Sequence, residues 1–212
     1  VLTADLVILT GQLLPNTGLA KDSGIKLGSS GRIIIDRSTM TSDDEVFAAG
    51  DCSEIHSSIL DEEIPLQPAS LALRSGIVAG TNAEGGSLSL SEVVFNTSFR
   101  LDGIDICSVG LTEEEAKERG MNAHAVEGSG YQFADYYPGG KQLYTRLIIK
   151  DENQLIGGQA VGPSASVWGN LLAMMISHFQ PLYYLAELET SFSPLTQPYW
   201  PSPVLAAKTF KQ

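Results

Sequence analysis

Residues 41–54 read TSDDEVFAAGDCSE. Acidic residues precede a short apolar burst (Val46, Phe47, Ala48, Ala49), and Gly50 and Asp51 stand where the burst stops. A buried strand that ends in small residues and glycine lets a ligand approach the backbone. An aspartate directly after it can accept hydrogen bonds from hydroxyls at the carboxyl end of a sheet, where α/β folds bind their ligands. The same spacing suits an aspartate that only caps the next turn. On these residues alone both readings stay open.

Upstream, residues 5–10 (DLVILT) form a compact β-branched run, expected as a strand buried on both faces, with residues 11–16 (GQLLPN) as a loop. Residues 17–23 suit a short helix stopped by Gly24. Residues 31–36 (GRIIID) are expected as a second strand and 46–49 as a third, followed by a polar connection over 52–63. Pro68 then opens a helix, because its missing N–H would be unpaired there anyway. Leu71, Leu73, Ile77 and Val78 alternate with Ala69, Ala72, Gly76, Ala79 and Gly80, so this helix is expected to lie close to neighbouring backbone and to run out near 84–86.

The stretch 85–91 (GGSLSLS) is the one linker-like shift in composition, which divides the chain into domains 1–90 and 91–212. The second part predicts strands at 94–99 and 104–109, and TEEE at 112–115 is a capping box opening a helix that ends at Gly120. A strand at 123–127 and a hairpin of 143–150 with 154–161 follow, then helices at 165–179, 183–189 and 204–210. Strands first and helices last predict an α+β fold with an antiparallel sheet covered on one face by helices.

The 212 residues, 43% of them hydrophobic, suffice for a core. Thirteen basic against 25 acidic residues give a net charge of −12, which argues against nucleic acid and anionic membranes as partners. No apolar run approaches the roughly 18–20 residues of a spanning helix. The two cysteines and three histidines lack metal-ligand spacing, so no metal site is expected, and the cysteine usage fits a reducing, cytoplasmic compartment. The start, VLTADLVILTG, lacks an initiator Met, a basic n-region and a cleavage site. A piece of something longer is expected.

The order of these segments resembles the pyridine nucleotide–disulfide oxidoreductases, FAD enzymes with two dinucleotide-binding domains. Thr41-Ser42 followed by VFAAGD resembles their second flavin signature, ADLVILTGQLLPNTGLAKDSGI their return from the NADH domain to the FAD domain, and LQPASLALRSGIVAG the helix aimed at the flavin. The resemblance implies that Asp51, after Gly50, holds the ribityl chain of FAD. It also implies that the chain at Gln67, Pro68 and Ala69 lies near the pyrimidine edge, with the Gln67 and Ala69 amides close to it. A helix N-terminus there would stabilise a reduced, anionic flavin.

SVGLTEEEAKERGM, ADYYPGGKQLYTRLIIKDENQLIGGQAVG and SFSPLTQPYWPSPVLAAK are similar to the interface domain of the coenzyme A-disulfide reductase and NADH oxidase branch. The implied fold is therefore the C-terminal segment of an FAD-binding α/β domain followed by an interface domain through which a homodimer forms. In that branch interface tyrosines reach the partner's active site, which makes Tyr136 and Tyr137 the catalytic candidates; packing on a neighbour is the competing reading. Phe192 stands where the branch often has tyrosine.

No GxGxxG occurs in the chain. The adenine-pyrophosphate site and the NAD(P)H site would belong to an N-terminal FAD/NADH-binding region of a parent chain. FAD and NAD(P)H are thus expected in the parent, with neither retained by this portion, which alone would be inactive. The alternative is a stand-alone homodimerisation module that has lost its cofactor, a reading that Asp51 and the helix at Pro68 weaken.

Overall fold

The computed structural model describes residues 3–9 and 13–210. The chain divides into two compact units, Val1–His56 with Glu63–Leu90, and Ser57–Glu62 with Ser91–Gln212.

In the first unit helix α1 spans Gly18–Asp22, and the expected stop follows at Gly24, whose φ of 79° suits glycine. Strand β1 is Ile33–Ile35, inside the expected 31–36. It pairs in parallel with β2, Ser53–Ser57, with Ile33 opposite Ser53 and Ile35 opposite Ile55; β3, Glu62–Pro65, completes the order β1-β2-β3. Helix α2 is Ala69–Ala83, starting directly after Pro68. Its inward face carries Leu71, Ser75 and Val78.

Two expected strands are corrected. Residues 5–9 are not a strand, and Leu6, Val7, Ile8 and Leu9 are exposed, Leu9 by 90%; Thr10 lies outside the described residues, as do Gly11 and Gln12 of the expected loop. A β-branched run becomes a strand only where another strand takes up its backbone groups, and none does so for 5–9 among the described residues. Residues 46–49 make one isolated bridge, Phe47 to Met40, because their amides and carbonyls are spent on the turn around Thr39 and Thr41. The strand lies instead in the expected polar connection. SEIHS buries Ser53, Glu54, Ile55 and Ser57, so sheet context overrides the low strand propensity of Ser and Glu.

The second unit is a five-stranded antiparallel sheet in the order β4-β5-β8-β7-β6. Its strands are β4 Asn96–Leu101, β5 Ile104–Gly110, β6 Ala123–Tyr131, β7 Gln142–Lys150 and β8 Gln154–Val161. Helices α4 (Ala165–Ser177), α5 (Tyr183–Ala186) and α6 (Ser202–Thr209) form the expected cover. The alternation of the pleat sorts the core. Leu147, Ile149 and Leu155 face Leu172, Met175, Ile176, Leu182, Leu185 and Val204, whereas Ile148 and Ile156 face the opposite side with Leu111 and Ala116. Gly128 on β6 lets α6 sit directly on the strand, since a Cβ there would lie 2.4 Å from the Ser202 carbonyl oxygen and 2.5 Å from the Ala206 nitrogen.

Helix α3, Glu113–Glu118, begins with the capping box that TEEE predicts. The Glu115 amide donates to Thr112 Oγ1 at 3.2 Å, and the Thr112 amide returns a bond to Glu115 Oε2 at 2.8 Å. Thr112→Ala is expected to cost about 1 kcal/mol, read as a lower urea midpoint with unchanged slope. That Thr112 amide is the main reason the Glu115 carboxyl sits below its ordinary value. Lys117, ahead of Arg146, holds Glu113 down likewise. A carboxyl lowered by folding stabilises above its unfolded value, and that contribution is lost as pH falls through the folded one. The Thr112 hydroxyl also donates to Glu115 Oε2 at 2.8 Å and adds to the lowering, and because Thr112→Ala removes this bond while keeping the amide, its deficit is expected to shrink modestly on acidification, as parallel denaturation curves would show.

Candidate functional site

The turn Gly50–Cys52 is built from small residues and side chains that satisfy its backbone. Gly50 has φ 72°, a left-handed conformation that glycine adopts without strain. Its N–H donates to Ser75 Oγ at 3.0 Å, and its carbonyl accepts from Ser53 Oγ at 2.7 Å. The Asp51 carbonyl accepts from Arg32 Nε at 3.0 Å, and the Ala49 carbonyl from the Cys52 thiol at 3.4 Å. The turn is closed from within.

The Asp51 carboxylate takes no part in this. The residue is exposed, and among the described residues its side chain makes no hydrogen bond or ion pair. A carboxylate that capped the turn would accept a nearby backbone N–H; this one is left free to accept from elsewhere.

The start of α2 lies against the same turn. Ser75 holds the Gly50 amide, a Cβ on Gly50 would meet Ala72 Cβ at 3.7 Å, and just before the helix the Leu66 amide donates to the Ser53 carbonyl at 3.1 Å. Gln67 and Ala69 are exposed and Pro68 is half-buried. No side chain caps the helix start. First-turn amides without a side-chain acceptor, at the positive end of a fifteen-residue helix, can bind an anionic or carbonyl oxygen. A free carboxylate is an acceptor that suits the hydroxyls of a polyol chain, and uncapped amides are donors that suit ring oxygens, the two kinds of group a flavin presents. The structure thus brings together Gly50, Asp51, Gln67, Pro68 and Ala69.

Tyr136 and Tyr137 belong to the second unit. They follow β6 in a turn closed by the Tyr137 amide on the Ala134 carbonyl and tied to the tail by the Ala134 amide on the Pro194 carbonyl, each at 3.0 Å. The rings sit 5.4 Å apart, with Tyr136 67% and Tyr137 39% exposed, and neither hydroxyl has a partner among the described residues. In the tail Phe192 stacks on Tyr199 at 3.7 Å.

Sequence reasoning missed Arg32, Ser53 and Ser75. Each is buried and donates to the turn or accepts from it. Serines and one arginine scattered over more than forty positions carry no pattern, and only the fold gathers them. Among the described residues no group of His, Cys, Asp or Glu could hold a metal, both cysteines are free, and no helix is long and apolar enough to cross a membrane.

Comparison with known proteins adds two family matches, the pyridine nucleotide-disulphide oxidoreductases over residues 1–76 and the pyridine nucleotide-disulphide oxidoreductase dimerisation domain over 101–182. The chain is 31% identical over 211 residues to an NAD(P)H sulfur oxidoreductase (CoA-dependent) of Pyrococcus furiosus, covering 98% of this chain and 47% of the relative. It is 29% identical over 192 residues to an NADH oxidase of Methanocaldococcus jannaschii, covering 90% and 42%. The solved NAD-dependent persulfide reductase from A. fulgidus superposes with a TM-score of 0.87 at 28% identity, over 92% of this chain and 36% of that one. The chain spans about half the length of the curated relatives it matches.

Proposed function

Because this chain belongs to the pyridine nucleotide-disulphide oxidoreductases, in the branch of the coenzyme A-disulfide reductases and NADH oxidases, we propose that it is the C-terminal portion of an FAD-dependent NAD(P)H oxidoreductase. Residues 1–90 supply one wall of the flavin site and 91–212 the interface domain. The acceptor class is a disulfide, oxygen or peroxide; relatives named as a CoA-dependent sulfur oxidoreductase, a persulfide reductase and an NADH oxidase support a sulfur species or oxygen within it. The single observation behind the flavin assignment is the Asp51 carboxylate, unspent in a turn that needs nothing from it.

A bound flavin supplies the hydride chemistry, and the protein supplies grip and electrostatics. Asp51 accepts hydrogen bonds from ribityl hydroxyls. The amides at Gln67 and Ala69, with the dipole of α2 behind them, place positive potential at the ring's pyrimidine edge and favour the reduced ring. Tyr136 and Tyr137 offer unpaired phenolic donors to the reacting acceptor across a homodimer contact. Exposed Val167 and Met174, seven residues apart and so on one face of α4, support a pairing surface on the second unit. We place the enzyme in the cytoplasm, where Cys52 and Cys107 stay reduced.

The test is the visible spectrum of the full-length gene product, with an FAD titration of the colourless form. A flavin spectrum, or saturable uptake, is expected. A folded product that takes up no FAD would leave the homodimerisation module as the better reading.

A further inference from the structure

Arg32 is buried, at 8% exposure, and no ion pair or second hydrogen bond satisfies it among the described residues; its one bond is from Nε to the Asp51 carbonyl at 3.0 Å. Its terminal nitrogens are not among the buried atoms left without a partner and so keep contact with solvent, while Nε reaches inward to the turn. The neighbouring strand β2 carries a second buried charged residue, Glu54, at 1% exposure. The register puts Glu54 opposite Ile34, and Arg32 lies one residue before β1 begins. The Glu54 carboxyl does not pair with Arg32. Its Oε2 accepts from Ser30 Oγ, and its Oε1 is buried with no partner.

Between them lies the tight turn that leads into Arg32. The Gly28 amide donates to the Arg32 carbonyl at 2.8 Å and the Gly31 amide to the Gly28 carbonyl at 3.0 Å. Glu54 presses into this turn, for a Cβ on Gly28 would lie 1.4 Å from Glu54 Oε1. The contacts close a ring. From Asp51 the chain reaches Glu54 three residues on, Glu54 fixes Ser30 and Gly28, that turn fixes Arg32, and Arg32 returns to the Asp51 carbonyl.

We propose that Arg32 is a positioning residue for the Asp51 turn, held in place by Glu54 through the residue 28–31 turn, and that this ring sets the aim of the Asp51 carboxylate toward a polyhydroxyl ligand. The ring itself needs no flavin; only the nature of the ligand rests on the assignment above.

The test uses the full-length gene product with Arg32→Met, Arg32→Lys and Ser30→Ala, and reads amide hydrogen exchange over residues 49–53 without added ligand. Gly50 and Ser53 report directly, because their amides are bonded to Ser75 Oγ and the Gly50 carbonyl. Arg32→Met is expected to speed exchange there about tenfold, the loss of one hydrogen bond from a charged donor, while α4 and β7 stay as they were. Arg32→Lys, which keeps a charged donor, restores most of the protection, and Ser30→Ala shifts exchange the same way by less. FAD affinity falls with Arg32→Met in the Asp51 protein and not further in Asp51→Ala.

Exchange over 49–53 that is unchanged in Arg32→Met, or that rises equally throughout the chain, overturns the proposal. So does Arg32→Lys behaving like Arg32→Met. Should Arg32→Met not fold, unchanged exchange in Ser30→Ala overturns it instead. A parent that takes up no FAD overturns the flavin assignment, and the exchange data still decide the ring.

Discussion

Gly157→Ala is expected to destabilise the second unit by about 3–5 kcal/mol, seen as a fall in its denaturation midpoint and a loss of exchange protection through β5, β7 and β8. Gly157 pairs with Gly110 on β5 and Ile148 on β7, near the middle of the sheet. A Cβ there would sit 1.8 Å from the Leu111 carbonyl oxygen, 2.8 Å from its carbon and 3.0 Å from its nitrogen. These are backbone atoms, so no rotamer change relieves the overlap. Nor can the segment retreat, because the Leu111 amide is bonded to the Ile156 carbonyl at 3.0 Å, and Gly110, at φ 61°, is equally crowded by that carbonyl. Gly80→Ala is the contrast. It lies inside α2 with nothing within 4 Å of its would-be Cβ, and is expected to stabilise by about 0.5–1 kcal/mol. If Gly157→Ala were as mild, the close crossing of β8 by the chain leaving β5 would be wrong.

The second unit was largely legible in advance because several local signals agreed. QLYTRLIIK and QLIGGQAV carry β-branched and apolar residues about a DEN turn, TEEE marks a helix start by chemistry alone, and ASVWGNLLAMMIS has length and period. The close approaches at Gly128 and Gly157 were not legible, since a glycine in a strand signals a neighbour without naming it. In the first unit the signals disagreed. VFAA has strand composition but spends its backbone on a turn, while SEIHS has a loop's composition and forms the central strand, where Glu54 is buried by position and against propensity. Only knowledge of which segments pair could have reversed the two assignments, and pairing is non-local.

The candidate site divides along the same line. Gly50, Asp51 and the helix start at Pro68 stand out because glycine and proline fall at places where backbone geometry favours them, and an acid stands directly after the glycine. Arg32 and Glu54 look like surface residues in the sequence, and they acquire meaning only when β1 and β2 lie side by side. An acid at the end of a strand can be read in two ways, and what separates them is whether neighbouring side chains already satisfy the turn.

That distinction gives Asp51→Ala its weight. FAD affinity of the full-length gene product is expected to fall about a hundredfold, since two hydrogen bonds accepted by a carboxylate contribute together roughly 3 kcal/mol. Asp51→Asn, which keeps one acceptor oxygen without the charge, should fall between. Folding stability should meanwhile hold within about 0.5 kcal/mol, because the carboxylate bonds to nothing among the described residues and the turn's carbonyls are taken by Arg32, Ser53 and Cys52. The two measurements move oppositely under the two readings of TSDDEVFAAGDCSE. A capping aspartate would cost about 1 kcal/mol of stability on truncation and leave flavin untouched. A drop in stability with unchanged FAD affinity would therefore return Asp51 to the role of a turn residue and take the flavin site with it.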